Sequence, residues 1–455
     1  MKIHFNKAGF CRLLVCTAIG AGWSVAAQAQ SLVELYEAAR GFDANYLSAR
    51  LQFEANVARA EQNRAGMRTT ANLAAGMNYT DQQLSTSDAK AMAAAQSLSR
   101  GYQTQSITAS ASHPLYRPAN QAAYDQAAKQ MQQAQALLDV AEQELILRTS
   151  QAYFDVLAAQ DNLTAVQAQR TAVAEQLAAA KRRFEVGTST IVDTRQAQAT
   201  FDRIQAAAIQ AENDLAVRRL ALDQLVGRTG TKPLPLAAPV KLNPVAGDVS
   251  RWVQDAETLH PNVRSAQSSL EIARLEVTKA QAGHRPTLDA TASQSITRTP
   301  GGTAANATTS KVTATVIGLN FNLPLFAGYA TENRIRETLA LDDKARSDLE
   351  GAKRTAAQAT RAAYFNLASG LSRVQALQAA ESSAQSLVDS TKLGYQVGVT
   401  INLDVLDAQS QLFQSRRDLA VARYDVLVGD LRLRQASGVL SSKDLQAINS
   451  MLVKP

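Results

Sequence analysis

The sequence predicts a mixed, mainly α fold with an internal two-fold sequence repeat, each half reading as a helix, two β-strands and a long helical hairpin. Three observations carry this prediction. Motifs recur in the same order at a nearly constant offset; one stretch of 186 − 119 + 1 = 68 residues holds neither Gly nor Pro; and each long helical stretch is preceded by runs that alternate with a period of two.

The repeat comes first because it sets the frame for everything else. Ala152-Tyr153-Phe154 returns as Ala363-Tyr364-Phe365, and Phe184-Glu185-Val186-Gly187 returns as Tyr395-Gln396-Val397-Gly398. Asp193-Thr194-Arg195-Gln196-Ala197-Gln198 returns as Asp404-Val405-Leu406-Asp407-Ala408-Gln409, and all three pairs share the offset 364 − 153 = 211. Upstream, Pro114-Leu115-Tyr116 matches Pro324-Leu325-Phe326, and Ala65-Gly66-Met67-Arg68 matches Ala282-Gly283-His284-Arg285, with offsets of 210 and 217. The two copies occupy 30–231 and 249–438. Between them lies 232–248, where Pro233, Pro235, Pro239 and Pro244 forbid a continuous helix. A short segment, 439–455, closes the chain.

The first 29 residues read as a signal peptide. Lys2, Lys7 and Arg12 precede an apolar run from Leu13 to Ala27, and Ala27-Gln28-Ala29 has the small-residue pattern of a cleavage site. Cleavage before Gln30 removes Cys11 and Cys16 and three positive charges. The formal charge of +7 thus falls to 44 − 40 = +4, and the exported chain is free of cysteine. No later run is apolar enough for a spanning helix. With 46% hydrophobic but only 5% aromatic residues, and with Ala and Gln filling long stretches, the composition suits closely packed helices.

Each half opens with a helical segment, Leu32 to about Arg64 and Val249 to about Gln281. Two strand-like runs follow. In the first half Ala71, Leu73, Ala75, Met77 and Tyr79 alternate with polar or small residues, and Ile107, Ala109 and Ala111 do so again. In the second half the runs are Leu288 to Ile296 and Lys311 to Leu323, separated by Thr299-Pro300-Gly301-Gly302. Tilted strands of about 9–11 residues have the length that crosses a bilayer. A soluble hairpin pair capping a helical protein would show the same alternation.

The helix expected from Ala119 to Val186 is roughly 100 Å long at about 1.5 Å per residue. Leu145, Ala152, Val156, Ala159, Leu163, Val166, Val173, Leu177, Ala180 and Phe184 follow one three-and-four frame, interrupted by Thr149 and Arg170. This is a coiled-coil seam thinned by alanine. A partner helix runs from about Ile191 to Leu225, so the chain turns back at Gly187, and by the repeat at Gly398. Both glycines sit where a helix ends in a left-handed residue. Ser189 and Thr400 are placed to cap the next helix, with Asp193 and Asp404 in its first turn.

Four strands cannot close a membrane barrel, whose smallest size is about eight, and lipid does not tolerate an open sheet edge. If these strands cross a membrane, several chains share one barrel, and their hairpins continue it as a helical tube.

The same residues carry a family resemblance. The leader, the repeated halves, Gln143-Glu144-Leu145-Ile146-Leu147 ahead of Ala152-Tyr153-Phe154, and the turn Phe184-Glu185-Val186-Gly187 resemble the TolC family of outer-membrane efflux and type I secretion channels of Gram-negative bacteria. So does Gly394-Tyr395-Gln396-Val397-Gly398 leading to Asp404-Val405-Leu406-Asp407. The similarity extends to Gly438-Val439-Leu440 and the terminal Leu452-Val453-Lys454-Pro455. It implies a homotrimer in the cell outer membrane whose chains contribute four strands each to a twelve-stranded transmembrane β-barrel, continued by a long α-helical coiled-coil barrel in the periplasm. It implies docking to a periplasmic adaptor (a membrane fusion protein) and an inner-membrane ABC or proton-driven transporter, export of proteins or small molecules, and no catalysis.

Carried over by position, Asp404 and Asp407 match a ring of carboxylates at the periplasmic entrance. Three residues apart, they share one helix face, and three chains would bring 3 × 2 = 6 carboxylates together, a ring that favours cations and could take a divalent ion. Helix-dipole placement alone would also explain Asp404 and Asp193, but not Asp407. Tyr395 and Asp193 match residues that tie neighbouring hairpins shut. Where the family places an arginine that strengthens this lock, the chain has Thr400, so the resemblance implies a weaker lock. By position at the tips, Gly187, Gly398, Ser189 and Val397, with Arg183, Val186, Thr188 and Val399, are candidates for adaptor contact.

Other chemistry is sparse. His113, His260 and His284 are far apart in the sequence and there is no zinc pattern, no phosphate-cradling loop and no nucleophile elbow, hence no cofactor and no enzyme site. Arg182-Arg183, Arg218-Arg219 and Arg416-Arg417 read as solvated helix faces, and a charge of +4 gives no case for nucleic acid. The competing class is a soluble periplasmic coiled-coil scaffold or adaptor.

Overall fold

The computed structural model describes residues 30–83, 99–237, 242, 244, 247–303, 306 and 308–453. The leader with Cys11 and Cys16, Pro239 of the linker, and the final Lys454-Pro455 lie outside the described residues.

The first half runs α1 (Leu32–Phe42), α2 (Ala44–Ala65), β1 (Thr70–Gln83), β2 (Ser99–Tyr116), α3 (Pro118–Glu185) and α4 (Ile191–Val226). The second half repeats that order as α5 (Val249–Leu259), α6 (Pro261–Gln281), β3 (Thr287–Thr299), β4 (Ser310–Asn322), α7 (Ala330–Val397) and α8 (Asn402–Ala436), followed by α9 (Ser442–Asn449). The expected single helix at the head of each half is two helices. Asp43 breaks the first: its Oδ1 accepts the Tyr46 N–H at 2.8 Å and the Arg148 guanidinium at 2.9 Å. His260 breaks the second at the equivalent place, its Nδ1 accepting the Asn262 N–H at 3.1 Å with Pro261 as the first helical residue.

The four strands form one antiparallel sheet in the order β1-β2-β3-β4. Each strand leads into or out of a helix, and α2, α3, α6 and α7 pack side by side in that same order, so a wall of helices continues the sheet. Ion pairs cross the wall at Lys129–Glu271 (2.6 Å), Arg264–Asp139 (3.0 Å) and Arg334–Glu276 (2.7 Å).

Midway along α3 lies the thickest core. Leu145, Ile146, Tyr153, Phe154 and Val156 are packed by α1, the last turns of α4 and α8, α9, and the flanking Leu234 and Leu440. The Tyr153 hydroxyl donates to the Leu234 carbonyl at 2.8 Å, and Tyr424 from α8 stacks on Phe154 while its hydroxyl donates to Asp161 at 2.6 Å. The linker and the C-terminal segment meet here through the Leu236–Leu452 bridge. Beyond this belt α3 pairs with α4, and α7 with α8, through thin seams such as Val173, Leu177, Ala180, Ala197 and Ile204. Most of the expected α3 seam is buried, Thr149 included; Ala152 and Ala159 are half-buried, and Phe184 is exposed because the helix ends one residue later.

Register separates the two faces of the sheet. Ala71, Ala111, Ala292 and Ile317 lie in one row, and Ala75, Ile107, Ile296 and Thr313 in another. On the opposite face the rows read Thr70, Ser112, Thr291, Gly318 and Asn72, Ser110, Ser293, Val316. The first face leaves Leu73, Ile317, Leu319 and Phe321 exposed, and β1 and β4 each keep one edge unpaired within the chain.

Candidate functional site

The two hairpins end at the tips away from the sheet. Gly187 and Gly398 take φ of +74° and +85°, the left-handed region where a side chain would add strain, so the expected turns form with the chain reversing directly. Capping differs from expectation in position. Thr190, not Ser189, is the cap of α4: its hydroxyl accepts the Asp193 N–H at 3.2 Å, and the Asp193 carboxylate accepts the Thr190 N–H at 3.1 Å. Ser189 instead donates its hydroxyl to Asp193 at 2.8 Å. In the second hairpin Ile401 is the cap residue, without a side-chain acceptor, and its N–H donates to Asp404 at 3.1 Å. Thr400 is turned back, its hydroxyl donating to the Thr391 carbonyl at 3.1 Å and its side chain filling the space over Gly394.

Asp193 is held well as an anion. The Thr190 hydroxyl above all, helped by the Ser189 hydroxyl and the Thr190 N–H, keeps its carboxyl below the ordinary range, against the opposing effect of burial. All these donors use Oδ2, which leaves Oδ1 without a partner among the described residues.

Asp404 and Asp407 lie on the exposed side of α8, while Val405, Leu406, Ala408 and Gln409 are buried. Leu406 joins the seam of α3 and α4, and Gln176 on α3 hydrogen-bonds Asn402, so α8 is fastened to the first hairpin with both carboxylates left outward. Tyr395, near the end of α7, does not bond Asp193 within the chain. Its ring carries the Arg183 guanidinium 4.3 Å from the centroid. Arg183 was placed near the tip by sequence, yet its contact with the other hairpin has no sequence signal, because the two residues lie 395 − 183 = 212 positions apart. The tips also expose Val186, Val397, Val399 and Ile401. Among the described residues no cluster of three or more His, Cys, Asp or Glu could hold a metal, and no helix is long and apolar enough to cross a membrane.

A sheet with an uncovered apolar face, drawn out into helical hairpins longer than any globular core requires, defines an outer-membrane channel protein with a periplasmic helical extension. A family profile described as outer membrane efflux protein matches residues 35–228 and 252–439, one stretch in each half, and the chain belongs to that family. The outer membrane protein TolC of Vibrio cholerae is 32% identical over 443 residues, covering 97% of this chain and 98% of the relative. The alkaline protease secretion protein AprF of Pseudomonas aeruginosa is 29% identical over 318 residues, 68% of this chain and 65% of the relative. Among solved structures, the outer membrane protein VceC of Vibrio cholerae superposes with a TM-score of 0.74 at 20% identity, covering 90% of this chain and 96% of the other, and so shares the fold. The protein is an outer-membrane exit duct for type I secretion or efflux and not an enzyme.

Proposed function

We propose that three copies of the chain build this duct, each giving four strands to a shared twelve-stranded barrel, with the apolar face of the sheet toward lipid and the hydroxyl-rich face toward the lumen. The observation that carries it is the sheet itself: Leu73, Ile317, Leu319 and Phe321 are exposed on one side, and the free edges of β1 and β4 need partners that lipid cannot supply. A soluble scaffold would leave this surface in water, where patches of such size are not kept uncovered. Residues 30–231 and 249–438 form the two repeats, and the described parts of 232–248 and 439–455 join the belt at mid-height.

At the tips, Asp404 and Asp407 from three chains form the entrance ring, which favours cations and offers a site for a divalent ion. Tyr395 and Asp193 tie hairpins to one another, and Thr400 supplies no charge to that tie, so the entrance opens more readily than one closed by an arginine there. The exposed Val186 and Val397, with Gly187, Gly398 and Ser189, offer an apolar landing for a periplasmic adaptor, which links the duct to an inner-membrane ABC or proton-driven pump. The cargo is a secreted protein or a small molecule, as the family relatives named for protease secretion and efflux imply.

Single-channel recording in a planar bilayer tests this. Cation-selective conductance is expected for the wild type, with selectivity collapsing in Asp404→Ala/Asp407→Ala. A wild type that stays soluble without detergent and never conducts overturns the proposal.

A further inference from the structure

Among the contacts that join the two hairpins of one chain, the pair Arg183–Tyr395 stands nearest the turns. Gln176–Asn402 and the packing of Leu406 against the α3/α4 seam lie deeper along the helices. Arg183 is four residues from Gly187, and Tyr395 three residues from Gly398. The guanidinium carbon sits 4.3 Å from the ring centroid, a distance that satisfies a cation–π contact with the ring face. Both side chains are half-buried, and neither the Arg183 guanidinium nor the Tyr395 hydroxyl has another partner among the described residues. The tyrosine is therefore held by its face with its hydroxyl left over, while Asp193 Oδ1 is an unfilled acceptor.

We propose that Arg183 is a positioning residue of the entrance: it clasps Tyr395 of the same chain across the two hairpins and aims the tyrosine hydroxyl at the Asp193 carboxylate of an adjoining hairpin. This rests on the reading of the tips as the duct entrance. The clasp supplies from α3 the cation that position 400, occupied by a threonine bonded back onto Thr391, does not supply from the second hairpin. Separation of the second hairpin from the first would have to break the arginine–ring contact before the deeper seam. The tie is electrostatic toward a π-face, so it is screened little by a half-buried setting and is indifferent to the tyrosine hydroxyl itself.

The test uses the full-length protein in planar bilayers, scoring the open probability of channels that conduct. Arg183→Gln is expected to shift the opening equilibrium about two- to fivefold per chain toward open, the range of an exposed cation–π contact. Arg183→Lys, which keeps a cation, is expected to recover most of the closed population, whereas a purely steric role for the long side chain would be restored by Arg183→Met instead. Tyr395→Phe retains the ring but not the hydroxyl, so in that background Arg183→Gln should keep only the part of its effect that comes from the clasp within the chain; in Tyr395→Leu it should have none. Conducting wild-type channels whose opening is unchanged by Arg183→Gln overturn the clasp while leaving the duct intact. An Arg183→Gln effect that persists in Tyr395→Leu overturns it as well, since the arginine then acts on something else. A wild type that never conducts fails the duct, and with it the clasp.

Discussion

Ile107 and Ser106 are neighbours at the middle of β2, at the same depth in the sheet, and on opposite faces. Ile107 is flanked in its row by Ala75 and Ile296, and Ser106 by Gly76 and Thr297. If the Ile107 face meets lipid, Ile107→Arg places a charge in hydrocarbon, at about 2–4 kcal/mol per chain near the midplane. Ile107 is 52% exposed within one chain, so little packing is lost and the lipid contact dominates. A trimer carries the substitution three times, on the order of 6–12 kcal/mol for the assembly by the same per-chain figure. That is comparable to a whole domain's stability of about 5–15 kcal/mol. Ser106→Arg should be tolerated, since its guanidinium reaches the aqueous lumen, and should lower cation conductance by adding three positive charges. The assay is folding of each variant from urea into lipid vesicles, followed by the gel shift of the folded barrel. Equal loss of folding in both variants would refute the division of faces, and loss in Ser106→Arg alone would reverse it.

Other outcomes follow from the belt and the tips. Burial holds His260 neutral below the ordinary histidine pKa of about 6.5, and its Nδ1 accepts the Asn262 N–H, which only the neutral ring can do. Its folded pKa is depressed, so this stabilisation is fully present above about pH 6.5 and lost as pH falls toward the folded value. The protection of the amides at the start of α6 against exchange should therefore fall below about pH 6.5, and His260→Asn, which keeps an acceptor, should flatten that dependence. Tyr424→Phe takes the hydroxyl donor from the Asp161 carboxylate, which water can also reach, and should cost about 1 kcal/mol by urea unfolding, with no effect on ion selectivity. Thr190→Ala removes the α4 cap, about 1 kcal/mol, and should raise hydrogen exchange in the first turn of α4 while α8, capped from Asp404, is unchanged.

Long-range periodicity was the most legible part of the sequence. The helix read as 119–186 is Pro118–Glu185, and the strands fall where alternation placed them, because a 68-residue stretch without Gly or Pro and a strict period of two admit little else. The breaks at Asp43 and His260 were missed although Pro261 and a capping aspartate marked them. Thr190 displaced Ser189 as cap by one residue, the usual uncertainty where several hydroxyls are adjacent. Ile401 carries no capping oxygen at all, and the helix start there is fixed by Asp404 reaching back. Which side chains of the four strands share a face needed the register, which no single strand contains. Arg183 over Tyr395 is a contact between hairpins set by how far α3 and α7 each extend, and nothing local to either residue announces it.

Mass measurement of the detergent-extracted protein under native conditions tests the central claim most directly. Three chains in one particle is the expected result, since four strands with two open edges close only with others of their kind. A stable single chain that keeps its folded sheet in detergent would contradict the shared barrel.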